Sequence, residues 1–82
     1  MSYKIYRPDR HTVIYEDCES KIEFEVELDS RGIALYTNSP KVLGDTEVDL
    51  TLVISKVKSW LENDFVEVIL DDTPPPVFNL DN

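Results

Sequence analysis

The sequence is poor in the residues from which most active centres are built. It has one cysteine, Cys18, and one histidine, His11. A lone cysteine closes no internal disulfide, so the chain is no secreted disulfide scaffold and a reducing, cytoplasmic setting is expected. Structural zinc sites need several Cys or His residues at ligand spacing, and these are missing. No Asp-x-Asp-x-Asp-Gly calcium loop is present either. The two glycines, Gly32 and Gly44, are too few for a loop that cradles phosphate. The longest apolar-rich run, near Leu50–Leu61, is broken by Ser55, Lys56, Lys58 and Ser59, and is no membrane span. Met1-Ser2-Tyr3-Lys4 leads into no apolar stretch, so no secretory leader is expected.

Positive charge is also scarce. Eight Lys and Arg stand against 17 Asp and Glu, a net charge of −9 on 82 residues. Nucleic-acid backbones and anionic membranes would be repelled on average, and a basic protein would be attracted and steered. The charge is unevenly spread. Between Glu16 and Asp29 there are seven acids and one lysine, whereas residues 1–15 carry Lys4, Arg7 and Arg10 against Asp9.

Hydrophobic residues make up 41% and charged residues 30% of the chain, which suits one globular domain. Tyr3–Tyr6 reads as a strand that Pro8 confines to a sheet edge or ends. Thr12–Tyr15, rich in β-branched and aromatic residues, reads as the second. The third is the clearest. Ile22, Phe24, Val26 and Leu28 alternate with Lys21, Glu23, Glu25, Glu27 and Asp29, which predicts a strand buried on one face only. Ser30-Arg31-Gly32 is a turn with glycine where a positive φ is wanted, and Ile33–Thr37 is the partner strand.

Ser39-Pro40 and Gly44 place a loop over residues 38–45. Thr46 is the expected N-cap of a helix reaching about Glu62, with Glu47 and Asp49 in its first turn. Leu50, Val53, Ile54, Val57, Trp60 and Leu61 form its apolar stripe, with Trp60 expected in the core. Phe65–Leu70 is the last strand. Residues 71–82, with Pro74-Pro75-Pro76, read as a proline-rich tail beyond a domain of residues 1–70. The expected fold is α+β: an antiparallel meander with one helix packed on one face, in the order β-β-β-β-α-β.

No residue set is convincing as a catalytic apparatus. His11 and Cys18 could face each other across a hairpin, but no third group orients them. Glu23, Glu25 and Glu27 fall on the predicted wet face, where all three would be ionised rather than split into acid and base. Glu16, Asp17 and Glu19 form a second acidic cluster, read as solvated rather than metal-binding. The chain therefore reads as a non-enzyme without cofactor or metal. The expected partner-binding residues are Glu16, Asp17, Glu19, Glu23, Glu25, Glu27 and Tyr36: the acids supply steering and tyrosine supplies rigid contact area.

The openings Tyr3-Lys4-Ile5-Tyr6 and Thr12-Val13-Ile14-Tyr15, the hairpin Lys21–Tyr36, and the block Ile54–Ile69 with Trp60-Leu61 give the chain a broader likeness. In size, element order and acidity it resembles the small immunity proteins of bacterial polymorphic toxin and contact-dependent growth inhibition systems. That resemblance implies a cytoplasmic protein that binds a cognate toxin, often a basic nuclease, and occludes its active site. It carries no binding residue over by motif. Two other readings remain open at this stage. A four-stranded sheet followed by a helix also looks like the single-stranded nucleic-acid-binding proteins of the coactivator and Whirly type, although those need a basic groove. A self-associating subunit, such as a homodimer formed through the edge Tyr3–Tyr6 or Phe65–Leu70, is the third.

Overall fold

A computed structural model of the chain describes residues 2–30, 32–44 and 48–73. It contains strands β1 (Tyr3–Asp9), β2 (Thr12–Asp17), β3 (Ser20–Asp29) and β4 (Gly32–Gly44), helix α1 (Leu50–Leu61) and strand β5 (Val68–Asp71). The α+β order expected from the sequence is the order observed. The strands lie in one sheet in chain order, β1-β2-β3-β4-β5. Neighbours β1 to β4 are antiparallel. β5 runs parallel to β4, because the connection through α1 carries the chain from the end of the sheet where β4 finishes back to the end where β4 began. Among the described residues no helix is long and apolar enough to cross a membrane.

The alternation of β3 sets the layers. Ile22, Phe24 and Val26 are buried with Val13, Tyr15, Ile33 and Leu35. Helix α1 closes this core with Val53, Val57 and Leu61, spaced four apart on one helical face. Of the rest of the expected stripe, Leu50, Ile54 and Trp60 are half-buried and pack against the rim of the core. Trp60 is therefore a border residue and no part of the buried centre.

Several boundaries differ from the expectation. β1 continues through Pro8, whose missing N–H falls where the register slips between Tyr6 and Asp9 on a sheet edge. The expected loop at 38–45 is largely strand. β4 runs on to Gly44, and Ser39-Pro40 lies in a bulge: Tyr36 pairs with Glu25 and Lys41 with Glu23, so β4 carries three extra residues there. The helix begins at Leu50, and its cap is Asp49, whose carboxylate accepts the Leu52 N–H at 3.3 Å. The expected cap Thr46 and the expected first-turn Glu47 lie outside the described residues. The last strand starts at Val68 rather than Phe65 and includes Asp71, the first residue of the expected tail; residues 74–82 lie outside the described set.

Gly32 does not supply a positive φ; among the described residues that belongs to Gly44, at 94°. Gly32 instead permits a close approach. A Cβ there would overlap the carbonyl of Glu67, the group that accepts the Ile33 N–H at 3.0 Å.

Candidate partner-binding face

Helix α1 covers one face of the sheet. Among the described residues no element lies on the other, and the pairing register shows what that face presents. Side chains of paired residues share a face, so each row can be followed across the strands. At one end Lys4, Glu16, Lys21 and Leu43 lie abreast, followed by Tyr6, Ile14, Glu23 and Lys41. Beyond the β4 bulge come Asp9, Thr12, Glu25, Tyr36 and Asp71, with Asp9 at the far edge, then Glu27, Ala34 and Ile69.

These rows divide the acids into two environments. Glu16 stands between Lys4 and Lys21, and Glu23 stands opposite Lys41. Opposite charges directly across a ladder attract each other, and their fields cancel at a distance. Among the described residues, Glu25, Glu27 and Asp71 have no cation in their rows. The uncompensated negative field of the open face therefore centres on these three carboxylates and on Tyr36 among them.

Tyr36 donates its hydroxyl hydrogen to Glu27 Oε2 at 3.4 Å. Burial raises its pKa first, and the negative charges of Glu27, Asp71 and Glu25 add to the rise. Each acts by disfavouring a phenolate. Asp71 is held in place by Thr73, which donates its N–H at 2.9 Å and its hydroxyl at 2.6 Å to Oδ1. Those two hydrogen bonds lower the Asp71 pKa, so the charge is retained well into acid. At the balanced end, Tyr6 donates to Glu16 Oε1 at 2.8 Å. Ile14 lies between Tyr6 and Glu23 and is only 5% exposed, so it is covered on this side of the sheet and presents almost no apolar surface.

The seven residues expected at the site are thus placed differently. Glu25, Glu27 and Tyr36 come together; Glu16 and Glu23 share their face but lie beside lysines. Asp17 is on the helix side, in register with Tyr3. It organises the β2–β3 turn: Oδ1 accepts the N–H groups of Glu19 at 2.9 Å and Ser20 at 2.8 Å, and Oδ2 accepts the Tyr15 hydroxyl at 3.1 Å. Those backbone hydrogen bonds hold its pKa down. Glu19 is exposed in that turn, away from the acidic centre. Asp71 was missed because only its non-local pairing with Tyr36 brings it to the face.

His11 and Cys18 do not meet. They occupy the turns at opposite ends of β2, a strand of six residues, roughly 20 Å long at the usual rise. Among the described residues no three His, Cys, Asp or Glu side chains are grouped so as to hold a metal ion.

No protein-family model, no curated protein and no solved structure matches this chain.

Proposed function

We propose that this chain is a non-catalytic binding protein whose open sheet face engages a cationic surface of a partner protein, in the manner of an immunity protein that occludes a basic toxin. The observation that carries the reading is the group of Glu25, Glu27 and Asp71 around Tyr36, uncompensated by any cation in their rows on a face no described element covers. A partner's Lys or Arg residues would find carboxylates beside a rigid aromatic ring and the apolar Ile69 and Ala34. If those cations normally contact the partner's substrate, pairing them with carboxylates blocks the partner's activity without any chemistry on this chain. Pairs at the rim would chiefly set the association rate, and a desolvated pair would cost ~2–5 kcal/mol to break from one side. The same acidity disfavours a phosphate backbone lying across this face. A reducing cytoplasm suits the reading, since Cys18 is a free, exposed thiol.

The test is capture of a partner from the native cells by the tagged protein, with elution by salt. The reading expects a stoichiometric basic protein that is harmful when expressed alone. It also expects the double variant Glu25→Lys with Glu27→Lys to lose capture, while Glu16→Lys with Glu19→Lys retains most of it. Equal capture by both doubles would remove the acidic centre from the interface. Recovery of nucleic acid would overturn the reading altogether.

A further inference from the structure

The two edges of the sheet differ in length and in charge. β5 has four residues and is bracketed by Glu67, Asp71 and Asp72. β1 has seven, with Lys4, Arg7 and Asp9, on a chain whose net charge is −9. Among the described residues no strand pairs with the outer side of either.

The pairing fixes which backbone groups β1 offers outward. The Val26 N–H donates to the His11 carbonyl at 2.9 Å, and these two residues flank the Thr12–Glu25 pair. Thr12 and Glu25 are therefore a non-hydrogen-bonded pair of the antiparallel ladder. By alternation Val13 and Tyr15 aim their N–H and C=O groups at β3, and Ile14 and Glu16 aim theirs at β1. Their partners Tyr6 and Lys4 answer inward. Tyr3 and Ile5 then turn their N–H and C=O groups to the outside, and Arg7 follows at the start of the bulge. The side chains sort in step. Lys4 and Tyr6 stand on the open face; Tyr3 stacks on Tyr15, and the Arg7 guanidinium lies 5.3 Å from the Phe65 ring, on the helix side.

We propose that the outer edge of β1 is a homodimer interface, at which β1 of a second copy pairs antiparallel about a two-fold axis through Ile5. An axis at Lys4 would set two lysines directly opposite each other. An axis at Tyr6 would set Pro8 opposite Lys4 and carry the pairing across the bulge. The axis at Ile5 pairs Ile5 with Ile5, Lys4 with Tyr6 and Tyr3 with Arg7, opposes no like charges and leaves Pro8 outside. The outward groups of the two Ile5 residues exchange a pair of hydrogen bonds. Lys4 and Tyr6 of the second copy form the closer, non-hydrogen-bonded pair, about 4.5 Å between Cα atoms. The Lys4 ammonium is already 5.5 Å from its own Tyr6 ring, and Glu16 stands beside it. Two copies thus alternate cations with rings, each cation having a carboxylate neighbour. On the helix side the contact covers Tyr3, 46% exposed, and the half-buried Ile5. The same pairing at β5 would gather Glu67, Asp71 and Asp72 from both copies. An isologous contact of this kind closes as a dimer, with one continuous sheet. The axis lies at the edge farthest from β5, so the interface stands whether or not the acidic centre binds a partner.

The experiment is analytical ultracentrifugation of the full chain from micromolar to millimolar concentration, at about 0.15 M salt so that the global charge is screened, with amide hydrogen exchange across the same series. The expected result is a concentration-dependent dimer in which the Tyr3 and Ile5 amides gain protection as it forms, while those of Lys4 and Tyr6 are protected throughout. Lys4→Glu sets a carboxylate beside Glu16 and enters the interface twice, so it is expected to weaken the dimer about tenfold. Leu70→Lys, at the exposed β5 edge, is expected to leave the dimer constant unchanged. The proposal is overturned by a monomer at millimolar concentration, by a dimer whose Tyr3 and Ile5 amides exchange as in the monomer, by a Lys4→Glu variant that dimerises like the parent, or by dissociation through Leu70→Lys.

Discussion

Gly32 lies against the backbone carbonyl of Glu67 so closely that no Cβ can be accommodated between them. The contact sits where β5 first joins β4, at the Ile33–Val68 pair, and the Glu67 carbonyl accepts the Ile33 N–H. Gly32→Ala should push the start of β5 away from the sheet. Forced overpacking of this kind costs ~1–3 kcal/mol, and backbone is less able to yield than a side chain. The urea midpoint of Gly32→Ala should fall accordingly, with loss of amide protection at Val68–Leu70. An unchanged midpoint would mean that the two backbones are further apart than described.

The face that α1 turns to the sheet can be tested in the same way. Leu61 is fully buried, whereas Leu52 on the same helix is 52% exposed. Leu61→Ala should destabilise by ~2–5 kcal/mol, through lost transfer energy and the cavity left behind. Leu52→Ala should remain within about 0.5 kcal/mol of the parent. Comparable losses from both variants in urea titrations would show that the helix is rotated about its axis.

What could be read from the residues was the local pattern. The alternation of Ile22, Phe24 and Val26 with Glu23, Glu25 and Glu27 specifies a half-buried strand, and the stripe Val53, Val57, Leu61 specifies the helical face, because periodicity depends on near neighbours. The β4 bulge was hidden, since Ser39-Pro40 signals a break whether the chain leaves the sheet or bulges within it. The helix start was displaced because Thr46 and Asp49 are both good caps, and the Leu52 N–H selects the latter. At the candidate site, the glutamate row was visible but its neutralisation was not. That Lys41 stands opposite Glu23, and that Asp71 joins Tyr36, depends on pairing between strands remote in the sequence.

Acid should act on this fold through its turn aspartates. Asp9, Asp17 and Asp71 all have pKa values below their ordinary 3.8, chiefly through hydrogen bonds from His11, from Glu19 and Ser20, and from Thr73. A carboxylate whose folded pKa is depressed contributes stability that is fully present above the unfolded value. That contribution is lost as pH falls through the folded value. The stabilising effect of these residues should therefore be constant from neutral pH down to about 4 or 5 and decline below 3.8. Asp17→Asn should flatten the acid limb of the stability curve, because its amide oxygen accepts hydrogen bonds but does not take up the proton in this range. Thermal unfolding at a series of pH values would show this, and identical slopes for parent and variant below 3.8 would exclude Asp17 as a contributor.

Lys41 gives the acidic face a test that adds charge rather than removing it. The residue lies opposite Glu23 at the border between the balanced rows and the uncompensated ones. Lys41→Glu would release Glu23 from its counterion and extend the negative field by one further row. A like-charged pair across the ladder should cost no more than ~1 kcal/mol of fold stability, leaving the sheet intact. If the face steers a basic partner, the variant should associate faster than the parent at low salt, with a steeper dependence on ionic strength, while the dissociation rate changes little. Stopped-flow association with the captured partner measures this directly. A slower association would show that Lys41 itself contacts the partner, and the negative centre at Glu25, Glu27 and Asp71 would then not be what guides the encounter.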